Sequence, residues 1–107
     1  MNNQTESKPL KYNKVRESAK ALVATDVAIT QKPFLSYVTG SITNSSDHRF
    51  SYLVVKMELL DKNGMVVGNV ADAIQDFGPG QIWNFEAGIV SDDTVASAQV
   101  KEIKGWL

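Results

Sequence analysis

The chain has 107 residues, 43% of them apolar and 21% charged, with eleven basic side chains facing twelve acidic ones. This composition fits one globular domain and argues against disorder. The net charge of −1 gives no long-range pull on phosphate, so nucleic acid is not an expected partner. The absence of cysteine excludes disulfides, thiolate zinc sites, iron–sulfur clusters and cysteine nucleophiles.

Residues 1–14 are polar, from Asn2, Asn3 and Gln4 through to Pro9, and bury too little to repay their ordering. They read as a tether or frayed terminus, with a single domain over 15–107. No apolar stretch of the secretory kind occupies the first 20 residues, and none anywhere approaches the ~20 residues that span a bilayer. A membrane link would come only through an upstream anchor not present in this chain. Over Asn13 to Leu22 a short helix competes, with Val15, Ala19 and Leu22 at helical spacing.

From Val23 the period becomes two. Val23, Thr25, Val27 and Ile29 alternate with Ala24, Asp26, Ala28 and Thr30 until Pro33 interrupts. A second strand over Leu35 to Thr43 places Val38, Gly40 and Ile42 on one face. Glycine inside a strand marks a bulge or a close approach by another backbone. A loop follows at Asn44, Ser45, Ser46 and Asp47. In Ser51 to Leu60, Leu53, Val55, Met57 and Leu59 share one face while Lys56 and Glu58 take the other. Tyr52 and Val54 make that second face partly apolar, so it is expected to be covered near Tyr52 and solvated near Glu58.

Asp61-Lys62-Asn63-Gly64 reads as a hairpin turn, since Asn and Gly tolerate positive φ. The return strand opens with Met65, Val66 and Val67 and turns polar through Asn69, Asp72 and Gln75. Pro79-Gly80 fits a type II turn. Trp83, Phe85, Ala87 and Ile89 then alternate with Asn84 and Glu86, and a polar loop runs over Ser91-Asp92-Asp93-Thr94. The last strand, Ala98 to Trp106, changes parity between Val100 and Ile103, which predicts a bulge or a weakly specified edge. Short strands at this spacing, with no room for crossover helices, predict an all-β antiparallel two-sheet sandwich, immunoglobulin-like, of about six to seven strands. Leu53, Val55, Val27, Ile42 and Phe85 are the expected core.

The order Val38-Thr39-Gly40-Ser41-Ile42-Thr43-Asn44-Ser45, then Leu59-Leu60-Asp61-Lys62-Asn63-Gly64, Gly78-Pro79-Gly80 and the aromatic strand through Phe85 resembles the FxLYD domain family. These are small immunoglobulin-like modules of bacterial lipoproteins and surface-anchored proteins. The name-giving block departs here, with Met57 where phenylalanine stands in the family and Leu60 in place of tyrosine before Asp61. The resemblance spans Leu22 to Trp106. It implies an extracytoplasmic, cell-surface-anchored location and a binding or spacer role, and brings no catalytic residues.

The candidate chemistry is sparse. His48 is the sole histidine, without a partner for catalysis or ligation. Asp61 to Gly64 starts like a calcium loop, but apolar Met65, Val66 and Val67 stand where further oxygen ligands belong. Asp72 with Asp76, or Asp92 with Asp93, are the pairs available for acid–base work, and in polar stretches both read as solvated surface. A weak calcium site at Asp92-Asp93 is the alternative there. Asn3-Gln4-Thr5 and Asn44-Ser45-Ser46 match the glycosylation sequon. Among the aromatics Tyr37, Tyr52, Trp83 and Trp106, Trp83 reads as core, while Tyr52 and Trp106 form the expected partner-binding surface.

The expectation is therefore a non-catalytic module with no cofactor and no metal, whose partner is a protein or a cell-wall polymer. The alternative is a cytoplasmic or phage-associated structural subunit that self-associates through β-edges. Oligomeric state stays open.

Overall fold

The computed structural model describes residues 22–90 and 94–107. The expected tether at 1–14, the helix reading up to Ala21 and the Asp92-Asp93 loop lie outside the described residues. Among those described there is no helix, and six strands form: β1 (Ala24–Gln31), β2 (Ser36–Thr43), β3 (Phe50–Leu60), β4 (Val66–Phe77), β5 (Ile82–Ile89) and β6 (Ser97–Trp106). They build two antiparallel sheets of three, ordered β1-β2-β5 and β4-β3-β6. β1–β2 and β3–β4 are hairpins. The other three connections cross from one sheet to the other, so the inner faces of both sheets close on one core.

Alternation fills that core as expected. Val38 and Ile42 of β2, Leu53, Val55, Met57 and Leu59 of β3, and Trp83, Phe85, Ala87 and Ile89 of β5 are buried. Each large apolar side chain withdrawn from water contributes about 1.5–3 kcal/mol. Val27 is only half-buried, because β1 is a sheet edge and meets the core from its rim. Phe77, Trp83 and Phe85 pack edge-on, with ring centroids 6.3 and 5.8 Å apart, the arrangement their quadrupoles favour.

Strict alternation fails in β1. The register against β2 shifts between Thr25 and Ala28, and Asp26 takes φ +57°. Two residues of β1 therefore face one of β2, and the inward set becomes Leu22, Ala24, Val27 and Ile29, while Val23 is exposed. The parity change anticipated in β6 is also present. Lys56 pairs with Glu102 and Met57 with Val100, leaving Lys101 as the extra residue.

Gly40 does mark a close approach, but from a side chain. The Phe85 ring lies over it from the neighbouring strand, and a Cβ at Gly40 would overlap the ring. Gly105 plays the same part beneath Phe50. The turn before β4 also differs in kind from the two-residue hairpin. Only Gly64 has positive φ, +83°, and Asp61 organises the turn by accepting hydrogen bonds from the Asn63 and Met65 amides at 2.8 and 2.9 Å. At the other end Gly80, φ +79°, follows Pro79, and the Gln81 amide bonds the Gly78 carbonyl at 3.1 Å, as a type II turn requires.

Candidate partner-binding surface

The bulge at Lys101 decides what the outer face of the β4-β3-β6 sheet carries. Ala98, Val100, Ile103 and Gly105 lie toward the core. Had strict alternation held from Val100, Trp106 would share its side. The extra residue instead turns Glu102, Lys104 and Trp106 outward, beside Lys56, Val54 and Tyr52 respectively.

Tyr52 and Trp106 meet there as direct cross-strand partners. Their ring centroids are 5.8 Å apart at an interplanar angle of 48°. Tyr52 is 40% exposed and Trp106 half-buried, and the Ser51 hydroxyl holds the Trp106 carbonyl at 3.1 Å. The two residues singled out from the sequence thus form one patch. The expectation that the Tyr52 end is covered is reversed. Glu58 is the half-buried one, its carboxylate accepting from the Gln99 amide at 3.0 Å, whereas Tyr52 has only Trp106 and Gln75 as strand neighbours.

Three further rows extend the patch along β3. Val54 lies between Lys104 and Ala73, Lys56 between Glu102 and Ala71, and Glu58 between Gln99 and Asn69. Glu102 sits between two cations, 3.7 Å from Lys56 Nζ and 3.7 Å from Lys104 Nζ. Sequence reasoning missed this charged row. Lys56 was legible as outward, but Glu102 and Lys104 reach the same face only through the bulge.

The outer face of the opposite sheet is hydroxyl- and amide-rich. An open groove of about 380 Å³ is lined by Asp26, Thr39, Ser41, Asn84 and Glu86 over Gly40 and Phe85. Its polar groups bond one another: Thr39 with Thr30 at 2.9 Å, and Ser41 to Asn84 at 2.6 Å. Lys32 bonds Glu86 at 2.8 Å and lies 5.1 Å from the centre of the Tyr37 ring. Its pKa is raised, first by that hydrogen bond and then by the Glu86 charge.

The other candidates are dispersed. His48 is an exposed loop residue whose carbonyl is taken by Asn44. Asp76 pairs with Arg49 at 2.8 Å on the surface. Asp72 does different work: it stands on the inward side of the β4 edge, opposite Val55, and accepts the Glu86 amide of β5 at 2.9 Å. It ties the two sheets together rather than pairing with Asp76. Trp83 is core. Among the described residues no group of three or more His, Asp and Glu could hold a metal ion.

Asn44 is the one buried polar side chain identified, and its sequon reading fails. The amide donates to the carbonyls of His48 at 2.8 Å and Phe77 at 3.1 Å. Its oxygen accepts from the Ser46 amide at 3.0 Å and hydroxyl at 2.6 Å. A fully engaged, solvent-inaccessible amide is no glycosylation acceptor. It pins the β2–β3 loop to the end of β4.

No family model matches the chain, and no curated protein does. The chain is similar in fold to IrmA. That solved structure, from Escherichia coli, superposes with a TM-score of 0.58 at 17% identity, covering 78% of this chain and 74% of the other. At this identity the likeness speaks for the fold alone.

Proposed function

We propose that this chain is a non-catalytic binding module, a rigid sandwich that presents one sheet face to a partner. The observation that carries the reading is the Tyr52–Trp106 pair, set side by side and open to solvent by the bulge in β6. Tyrosine and tryptophan are the residues through which exposed faces gain most binding energy. Extracytoplasmic display on an upstream anchor belongs to the same proposal and rests on the resemblance to FxLYD modules.

Self-association through β-edges is less favoured, because every edge strand carries an interruption or a cover. β1 has the bulge at Asp26, β6 the bulge at Lys101, β4 a positive φ of 57° at Asp76, and β5 gives an amide to Asp72. Bulges and inward charges are the devices by which edges resist pairing.

A photo-crosslinker placed at Tyr52 in the native host tests both parts. Adducts should form from position 52 and not from Thr39 on the opposite sheet, and added protease should remove the protein from intact cells. Absence of any adduct at 52 refutes the surface, and full protease protection refutes the location.

A further inference from the structure

We infer that the outer face of the β4-β3-β6 sheet binds an acidic polysaccharide, with sugar rings stacked on Tyr52 and Trp106 and carboxylates held by Lys104 and Lys56. This deepens the proposed function by naming the chemistry of the occupant, and it rests on that reading.

The first observation is the order of side chains along β3. At about 3.4 Å per residue, the row of Val54 and Lys104 lies about 7 Å from the aromatic row, and the row of Lys56 and Glu102 about 14 Å. An aromatic platform is thus followed by two cationic positions in one line. The apolar C–H face of a sugar ring packs on the electron-rich face of an aromatic ring, and a polymer laid along the strand then brings its next residues over the lysines.

The second observation is charge. Two ammonium groups share one carboxylate, and both Nζ–O distances of 3.7 Å exceed the 2.7–2.9 Å of a charge-assisted hydrogen bond. One positive charge is left unmatched between the aromatic pair and Glu58, which is already bonded to Gln99. The complement is an anion whose oxygens supply the short bonds that Glu102 does not.

The third observation is shape. On the β4 side the face is floored by Ala71 and Ala73, so the cations and rings stand beside a low strip. Only Tyr52, Val54 and Trp106 on this face are large and apolar, and a charged row adjoins them. A protein partner of ordinary size covers about 800 Å² with a centre depleted of charge, which this face does not provide. A linear acidic polymer needs a platform and a line of cations, which it does.

The test is titration of the full chain with alginate oligosaccharides at low salt, followed by tryptophan fluorescence, with neutral dextran as control. Trp106 should respond while buried Trp83 reports that the fold is intact. Expected results are saturable binding to alginate at least tenfold tighter than to dextran, and a loss of tenfold or more in Tyr52→Ser. Ala71→Glu, an exposed position beside Lys56, should weaken binding similarly while melting like wild type. Lys104→Gln should weaken it several-fold and reduce its salt dependence. No saturable response to alginate overturns the inference. So does unchanged affinity in Ala71→Glu and Lys104→Gln, or tighter binding to single-stranded oligothymidylate or to anionic phosphatidylglycerol vesicles than to alginate. A protein adduct from position 52 together with no alginate binding would leave the proposed function standing and defeat this inference alone.

Discussion

Asn44 offers the sharpest test of how the sandwich is closed at one end. Its side chain makes four hydrogen bonds in a site without solvent access, two given to the His48 and Phe77 carbonyls and two received from Ser46. Its own backbone adds the Gln81 carbonyl at 2.9 Å and the Gly80 amide at 2.7 Å, bonds that side-chain substitution leaves in place. In Asn44→Ala the buried Phe77 carbonyl loses this donor, at a cost of about 1–3 kcal/mol, and the other three bonds are worth about 0.5–1.5 kcal/mol each before water compensates. Allowing for solvation of the Ser46 groups, the total is about 3–4 kcal/mol, a large share of the roughly 5–10 kcal/mol that holds a domain this size. Thermal unfolding followed by circular dichroism should show a midpoint at least 12 °C below wild type, at about 4–8 °C per kcal/mol. Asn44→Asp sharpens the argument, since it sets a carboxylate oxygen against two carbonyls. Burial and repulsion raise that carboxyl's pKa in the folded state, so the folded form holds its proton more tightly than the unfolded one, whose value is about 4. Stability of this variant relative to Asn44→Ala must therefore rise as pH falls through the folded value. An Asn44→Ala midpoint within 3 °C of wild type would refute the reasoning.

Four other outcomes follow from single contacts. Gly40→Ala and Gly105→Ala force a methyl into the Phe85 and Phe50 rings, and each should cost about 1–3 kcal/mol in urea unfolding. Leu53→Asp puts an unpaired charge in a fully buried site and should cost several kcal/mol; a melt within a few degrees of wild type would contradict the β3 register. Asp72→Ala removes the acceptor for the β5 edge amide, so light scattering should show more association than in Asp72→Asn, which keeps an oxygen. The raised pKa of Lys32 means that its pairing with Glu86 contributes below the ordinary lysine value of 10.5 and is lost as pH rises through the folded value. Wild type should therefore exceed Lys32→Gln in melting temperature at pH 8 and converge with it at strongly alkaline pH.

Most of the architecture was legible because burial imposes a period of two that survives in the sequence of every central strand. β3 and β5 each sit where their apolar positions place them, and Pro79-Gly80 turns where its dihedrals require. The departures fall on edge strands and loops, where a single residue outweighs the pattern. Asp26 was read as an outward residue of a regular strand, yet it takes the left-handed conformation and shifts β1 by one. The apolar opening of β4 read as a strand interior, but Met65, Val66 and Val67 are exposed past the last core layer. Asn44 read as a loop residue, because nothing local announces that a polar side chain will be surrounded. Its partners come from His48 nearby and from Phe77, 33 residues away.

The site shows the same division in a more useful form. Tyr52 is outward by simple alternation from Leu53 and Val55, so its exposure follows from the strand alone. Trp106 is not: continuing the parity of Ala98 and Val100 sends it into the core, and the parity of Ile103 sends it out. The two halves of β6 conflict, and a sandwich resolves such a conflict by inserting one residue, at little cost on an edge that lacks a second ladder. Gly105 shows why the resolution holds. It fills the inward position beneath Phe50, where any side chain would clash, so a register that sends position 106 inward would have to displace that ring. Packing at Gly105 fixes the bulge, the bulge fixes the outward set Glu102, Lys104 and Trp106, and the binding face is a consequence of how the core closes beneath it.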